Sequence, residues 1–512
     1  MAVVLLGLGS RGDLTPMLAL AHACRARGET VRVVALREYG DLVAGSGAEH
    51  IPVEADVADA LWHPDPWVRR VLLAQPGLMY AQMTARLRRA APLVVDALDR
   101  ASRPGDTVVA GLATAGIATA LHDRRAVLAL FAPVLPSREP SATVMTPGLR
   151  GWPTTFTSTW GWMLSTEMSG RAGRLVRARS EGVASAERTH GGVSTTATER
   201  WSPRAATGST ATDTSARAAG ARGLRLVSAP GARSLRAVTT RGYAAVAGWG
   251  HALLGVPGAA VVAGRLPILL AADPALVPPA PDRPVGVRQT GFWTLPSDDV
   301  PAPRGGGAAA AAPGRPGGSR VHEGGPATTA RLEEFLAAGP PPVYVGFGSC
   351  PAADPAADQR MFVAAARRAG VRVVLQPPPG AAPEAGDDVL VLGEYPHERL
   401  LPRMAAVVHH GGAGTTAAAV RAGVPSAVVP HLGDQGYWGR RIADLGAGLR
   451  PVPRARLTTE RLARLLAEVT GPDAPAMRRA AQDLAARLRT DGAERAADLL
   501  LGDPSNVRCS EP

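Results

Sequence analysis

The chain has 512 residues, 46% of them hydrophobic, and carries a net charge of +12 from 56 basic against 44 acidic residues. Such a length exceeds one ordinary core and points to two domains of roughly 200 residues each. All the basic residues are arginines spread along the chain, and the abundance of Arg, Ala, Gly and Pro resembles GC-rich coding, so the charge does not assign a nucleic-acid or membrane partner. Cys24, Cys350 and Cys509 are too far apart for a metal site or a disulfide framework and fit a reducing cytoplasm.

The run Val3 to Leu8 is apolar enough for a strand buried on both faces. It is too short, and lacks the basic flank, for a signal peptide. The loop Gly9-Ser10-Arg11-Gly12-Asp13 follows it, with Thr15 as a possible cap for a helix starting at Pro16 and ending at Gly28. Further strands are expected at Val31 to Leu36, Asp106 to Ala110 and Ala126 to Leu130, with a helix from Met79 to Arg100. No stretch of about twenty uninterrupted apolar residues occurs, so no stable membrane insertion is expected.

Residues 180–248 lose both the helical and the strand period and are dominated by Ser, Thr, Arg, Ala and Gly. Disorder, divergence and a shifted reading frame would each account for that texture. Recognisable pattern resumes at Leu266, as a strand and a proline-rich loop followed by TGFW, to Trp293. The Gly-, Ala- and Pro-rich stretch 301–328 reads as a linker between a domain over 1–300 and another over 329–506. The second domain is expected to hold a helix at Thr329 to Ala338, strands at Pro342 to Gly346, Val371 to Leu375 and Val389 to Leu392, and helices at Gln359 to Ala369, Thr458 to Val469, Pro475 to Arg489 and Gly492 to Leu501.

One stretch in this domain carries the chemistry: AAVVHHGGAGTTAAAVRAGVPSAVVPHLGDQGYW, Ala405 to Trp438. A short apolar strand ends in two histidines, and Gly411, Gly412 and Gly414 lead into a helix expected to open at Thr415 and Thr416. Glycines let backbone approach a ligand closely, and free N–H groups at a helix start favour a phosphate. His410 and the threonine hydroxyls are further hydrogen-bond donors. After Gly423 and Pro425 stop the helix, a second strand delivers Asp434 and Gln435, side chains suited to sugar hydroxyls. Phosphate at one loop and polyol at the next point to a nucleotide sugar.

The string HHGGAGTT, followed by RAGVP, GDQ and W, resembles the donor-binding signature of the family 1 glycosyltransferases, especially the bacterial natural-product and sterol-type enzymes. The resemblance implies the GT-B fold, an α/β architecture of two Rossmann-like domains whose parallel sheets face across a cleft. In it, His410 binds the donor diphosphate with Gly411, Gly412, Gly414, Thr415 and Thr416, Asp434 and Gln435 bind the sugar, and Ser349 and His397 contact the donor. Where plant relatives carry a ribose-binding glutamate this chain has Ala418, so UDP and dTDP are both left open. GSRGDLTP resembles the acceptor loop of the sterol and glycopeptide enzymes, with Ser10, Arg11 and Gly12 facing the acceptor and Asp13 in place of the histidine base of other members. Capping the helix is an alternative role for Asp13.

The implied activity is inverting and metal-independent hexosyl transfer from UDP- or dTDP-sugar to a hydroxyl of a lipophilic small molecule of polyketide, macrolide, glycopeptide or sterol type. It requires no cofactor beyond the nucleotide-sugar co-substrate and no metal ligand. Two alternatives are a catalytically dead nucleotide-sugar-binding or partner protein, and a GlcNAc transferase acting on a lipid-linked cell-wall precursor. The latter is expected to carry a GGTGGH-type first loop rather than GSRGDLTP.

Overall fold

The computed structural model describes residues 1–55, 68, 76–135 apart from 119 and 122, 171–179, 266–295 apart from 282, 284 and 285, and 326–502 apart from 349, 351, 378–385 and 394. The anomalous 180–248 stretch and most of the expected linker lie outside these residues. Two parallel sheets form the frame. The first has the order β3-β2-β1-β4-β5-β6-β7, made of Ala2–Leu6 (β1), Thr30–Leu36 (β2), Glu49–Val53 (β3), Thr107–Ala110 (β4), Arg125–Leu130 (β5), Ile268–Leu270 (β6) and Val287–Gln289 (β7). The second has the order β10-β9-β8-β11-β12-β13, made of Val343–Gly346 (β8), Val373–Gln376 (β9), Val389–Val391 (β10), Ala406–His409 (β11), Ser426–Val428 (β12) and Gly448–Leu449 (β13).

The central strands β1, β4, β8 and β11 are buried at every position, which is why they read as continuous apolar runs rather than alternating ones. Strand order reverses between β1 and β4 in the first sheet, and between β8 and β11 in the second. Such reversals leave a crevice beyond the carboxyl ends of the strands, where ligands bind in open parallel sheets. The short loop that leads to the helix carrying Asp13 follows β1, and the glycine turn follows β11. Topology therefore assigns both signature loops to crevice positions.

The first helix corrects the sequence expectation. It spans Arg11–Arg25 with Ser10 as its N-cap, so Pro16 lies inside it rather than at its first position. The cause is a reciprocal cap: the Ser10 N–H and hydroxyl both donate to Asp13 Oδ2, at 2.8 and 2.9 Å, while the Asp13 N–H donates to the Ser10 carbonyl. Similarly, the helix after the linker begins at Pro326, three residues before the expected Thr329. Strands β3 and β7 were not expected: β3 is mostly half-exposed, and β7 is only three residues long.

The halves share a packed seam. Trp438 is fully buried and its ring centroid lies 5.9 Å from that of Phe292. Arg441 Nε donates to the Leu276 carbonyl at 2.9 Å, and Arg421 donates to the Thr294 hydroxyl. The terminal helix Gly492–Leu501 lies on the first helix, where Arg27 Nε donates to Asp498 Oδ1 at 2.7 Å, and Arg125 donates to the Leu500 carbonyl. Among the described residues, no helix is long and apolar enough to cross a membrane.

Candidate active site

β11 ends at His409, whose ring is wholly buried and whose Nδ1 accepts the Gly411 N–H at 3.1 Å. Burial lowers its pKa to about 3, so the ring is neutral, and its Nε2 has no protein partner. His410 follows, with its imidazole laid over glycine backbone. A Cβ on Gly412 would sit 2.4 Å from His410 Nε2, and one on Gly348 would sit 3.2 Å from Cε1. Desolvation, followed by the influence of His397, lowers the His410 pKa to about 4. The Nδ1 of His410 is likewise buried without a protein partner.

Gly411 bends the chain at φ +88°, and a Cβ there would meet Val428 Cγ1 at 2.6 Å and the Gln435 carbonyl at 2.7 Å. Gly411→Ala combines a left-handed non-glycine residue with a backbone collision, and is expected to destabilise the protein by about 2–4 kcal/mol. Chemical denaturation checks this, and a midpoint equal to that of the parent would refute it.

The helix after the turn spans Ala413–Arg421 with extended Gly412 as N-cap, two residues ahead of the expected start. The Thr416 N–H makes the first bond, to the Gly412 carbonyl at 2.9 Å. The N–H groups of Ala413, Gly414 and Thr415 are therefore the ones at the helix mouth, without an intrahelical acceptor. Gly414 is exposed and nothing lies within 4 Å of a Cβ built on it. Because the helix starts early, Thr416 is carried past the mouth; its hydroxyl is enclosed and has no protein partner. Thr415 stays half-buried in the first turn.

The acidic loop follows β12. Asp434 Oδ2 accepts a 2.7 Å hydrogen bond from the Trp438 indole N–H. Desolvation raises the Asp434 pKa to about 6 against that bond, and the nearby Asp13 carboxylate adds to the rise. Gln435 is turned onto its own loop: Oε1 accepts from the His431 and Leu432 N–H groups at 2.7 and 3.0 Å, and the amide nitrogen lies 3.5 Å from Cys350 Sγ.

Asp13 belongs to the facing half. Ser10 occupies only its Oδ2, and the residue is accessible to solvent. Protein atoms nevertheless crowd it, and desolvation raises its pKa against the lowering effect of the Ser10 bonds. The helix that carries Asp13 packs against the helix Ala413–Arg421. Arg11 and Gly12 are exposed beside Asp13. Ser349 lies outside the described residues. Next to Gly9 an apolar cavity opens, lined by Leu8, Leu36, Val53, Leu87, Val94 and Ile117 among others. Sequence reasoning missed His431, Tyr344 and Gln376, which border the same strand ends. Among the described residues there is no cluster of three or more His, Cys, Asp or Glu able to hold a metal.

Two parallel sheets, each with a signature loop at its crevice, define a two-sheet α/β protein. Residues 380–495 match the family described as the erythromycin biosynthesis protein CIII-like C-terminal domain. The vancomycin aglycone glucosyltransferase of Amycolatopsis orientalis is 39% identical over 239 residues, covering 45% of this chain and 49% of that protein. A sterol 3-beta-glucosyltransferase of Arabidopsis thaliana is 42% identical over 137 residues, covering 25% of this chain and 22% of that protein. The chain thus spans about half the length, or less, of these relatives. Among solved structures, the glycotransferase of kitacinnamycin superposes with TM-score 0.50 at 17% identity, covering 98% of this chain and 97% of that one. The calicheamicin glycosyltransferase does so with TM-score 0.50 at 15% identity, covering 97% of each. The fold is GT-B, and over part of its length the chain is similar to the glycopeptide glycosyltransferases and the sterol glucosyltransferases.

Proposed function

We propose that this chain is an inverting, metal-independent glycosyltransferase that moves a hexose from a UDP- or dTDP-sugar to a hydroxyl of a lipophilic small molecule. The observation that carries this reading is the glycine turn. Two buried imidazole atoms, His409 Nε2 and His410 Nδ1, have no hydrogen-bond partner among the described residues and belong to the turn that opens the helix Ala413–Arg421. A diphosphate at that mouth receives the N–H groups of Ala413, Gly414 and Thr415, the positive end of the helix dipole and the His410 ring. Those donors stabilise the departing nucleoside diphosphate, a task that a metal ion performs in other enzymes.

In the proposed reaction the acceptor oxygen attacks the anomeric carbon from the face opposite the diphosphate. The new glycosidic bond forms as the bond to the diphosphate breaks, and the hydroxyl proton passes to the free Oδ1 of Asp13. Desolvation makes Asp13 a stronger base than an ordinary exposed aspartate. Asp434 accepts from sugar hydroxyls, while Gln435 keeps its loop in shape. The names of the relatives and the apolar cavity beside Gly9 support a lipophilic or natural-product acceptor. Mass spectrometry of reactions pairing UDP- and dTDP-hexoses with polyketide, macrolide, glycopeptide and sterol acceptors tests the reading. A mass gain of one hexose is expected. Nucleotide binding with neither transfer nor donor hydrolysis would indicate a catalytically dead binder.

A pH dependence follows from Asp434. Its carboxylate form is required to accept from the sugar, and its pKa is raised to about 6. Donor kcat/KM is therefore expected to fall as pH drops through about 6, where Asp434 takes up a proton. Asp434→Asn should flatten that limb while lowering the plateau. An unchanged limb in the variant would remove Asp434 from this role.

A further inference from the structure

A polar chain links two strands of the second sheet to the short helix His397–Leu400. Tyr344, on β8, is 2% exposed, and its hydroxyl donates to Gln376 Oε1 at the end of β9, at 2.7 Å. The same hydroxyl lies 3.2 Å from His397 Nε2, and the Tyr344 and His397 rings meet edge-on with centroids 5.5 Å apart. Space for the hydroxyl is made by glycine: a Cβ on Gly346 would fall 2.3 Å from the Tyr344 oxygen. Gly346 and Gln376 are register partners in adjacent parallel strands, so pairing of β8 with β9 sets the relative position of Tyr344 and Gln376, and the short helix His397–Leu400 brings the imidazole to them.

A phenol has one proton to give. With that proton on Gln376 Oε1, the tyrosine oxygen can only accept from His397, which requires the imidazole proton to sit on Nε2. Among the described residues, the side-chain hydrogen bond of His397 is made through Nε2 and not through Nδ1. The ring is half-buried, on a short helix that packs against the helix Ala413–Arg421.

We propose that Tyr344 and Gln376 are positioning residues that fix the tautomer of His397, so that Nδ1 meets the nucleoside part of the donor as a hydrogen-bond acceptor for a ribose hydroxyl or an imide N–H. This rests on the nucleotide-sugar reading above and deepens it. The relay transfers no proton in the reaction. Its work is to choose which atom of His397 carries the proton, and thereby whether the site offers an acceptor or a donor to the ligand.

The test uses the full chain with 15N-labelled histidine and UDP or dTDP as probes. In the parent, NMR is expected to show His397 protonated at Nε2 before any nucleotide is added. Gln376→Met removes the acceptor and frees the Tyr344 proton to turn toward Nε2, so the His397 proton should move to Nδ1, with nucleotide Kd rising about five-fold or more. Tyr344→Phe keeps the ring packing and should leave a mixture of tautomers, with a smaller loss of affinity and kcat nearly unchanged. If nucleotide binds the parent but both variants keep the Nε2–H tautomer and the parent's Kd, the relay is overturned. If no nucleotide binds the parent at all, the functional reading itself falls, and the tautomer measurement still decides whether the relay exists.

Discussion

Asp13→Asn is expected to cut kcat for transfer by about 10²- to 10⁴-fold while leaving the Kd for nucleotide near that of the parent, because general-base assistance is worth about that much. The geometry makes the substitution informative. The two jobs proposed for Asp13 fall on different oxygens: Oδ2 receives the Ser10 N–H and hydroxyl, which leaves Oδ1 for the acceptor proton. Asparagine can keep a carbonyl oxygen toward Ser10 and so preserve the cap, but it cannot take a proton from the acceptor. Asp13→Ala loses both jobs, with about 1 kcal/mol of helix capping added to the kinetic loss. Comparing the two variants by single-turnover kinetics and thermal unfolding separates base from cap. Turnover equal to the parent in Asp13→Asn would remove Asp13 from catalysis and leave it as a cap alone.

The second large effect is expected at His410. His410→Ala should weaken nucleotide-sugar binding by about 10- to 100-fold, the range for losing a hydrogen bond to a charged group. The ring rests on Gly412 and Gly348 and is only half-buried, so its removal opens the site without gutting the core. Gly412→Ala supplies the converse test. Its methyl would land 2.4 Å from His410 Nε2 and push the imidazole off its seat, so donor affinity should fall by a similar factor with His410 still present. Isothermal titration with UDP and dTDP checks both; affinity unchanged in His410→Ala would contradict the assignment.

Much of this site is legible in the sequence because its parts are contiguous. His409 to Thr416 is one turn between one strand and one helix, and Ser10 to Asp13 is another, so residue types and spacing name the pieces. The turn chemistry moved the boundaries. Ser10 and Asp13 cap each other and draw the start of the first helix back from Pro16 to Arg11, and Gly412 starts the second helix before the threonines. Thr416 consequently faces inward, a consequence of helical phase that spacing from a misplaced start could not give. The Tyr344, Gln376 and His397 chain was illegible for a different reason. Those residues are far apart in sequence and meet only through the pairing of β8 with β9 and the return of the chain after β10. Gln435 shows the limit of motif reading: the GDQ run is present as expected, yet the amide oxygen is turned onto the His431 and Leu432 backbone.

The central claim is that a nucleoside diphosphate lodges where the helix Ala413–Arg421 begins. A crystal structure with UDP or dTDP bound tests it most directly. The account predicts diphosphate oxygens within hydrogen-bond distance of the Gly414 and Thr415 N–H groups and the His410 ring, with the Asp13 carboxylate facing them across the cleft. Nucleotide bound elsewhere, or a helix mouth left without ligand at saturating nucleotide, would contradict it.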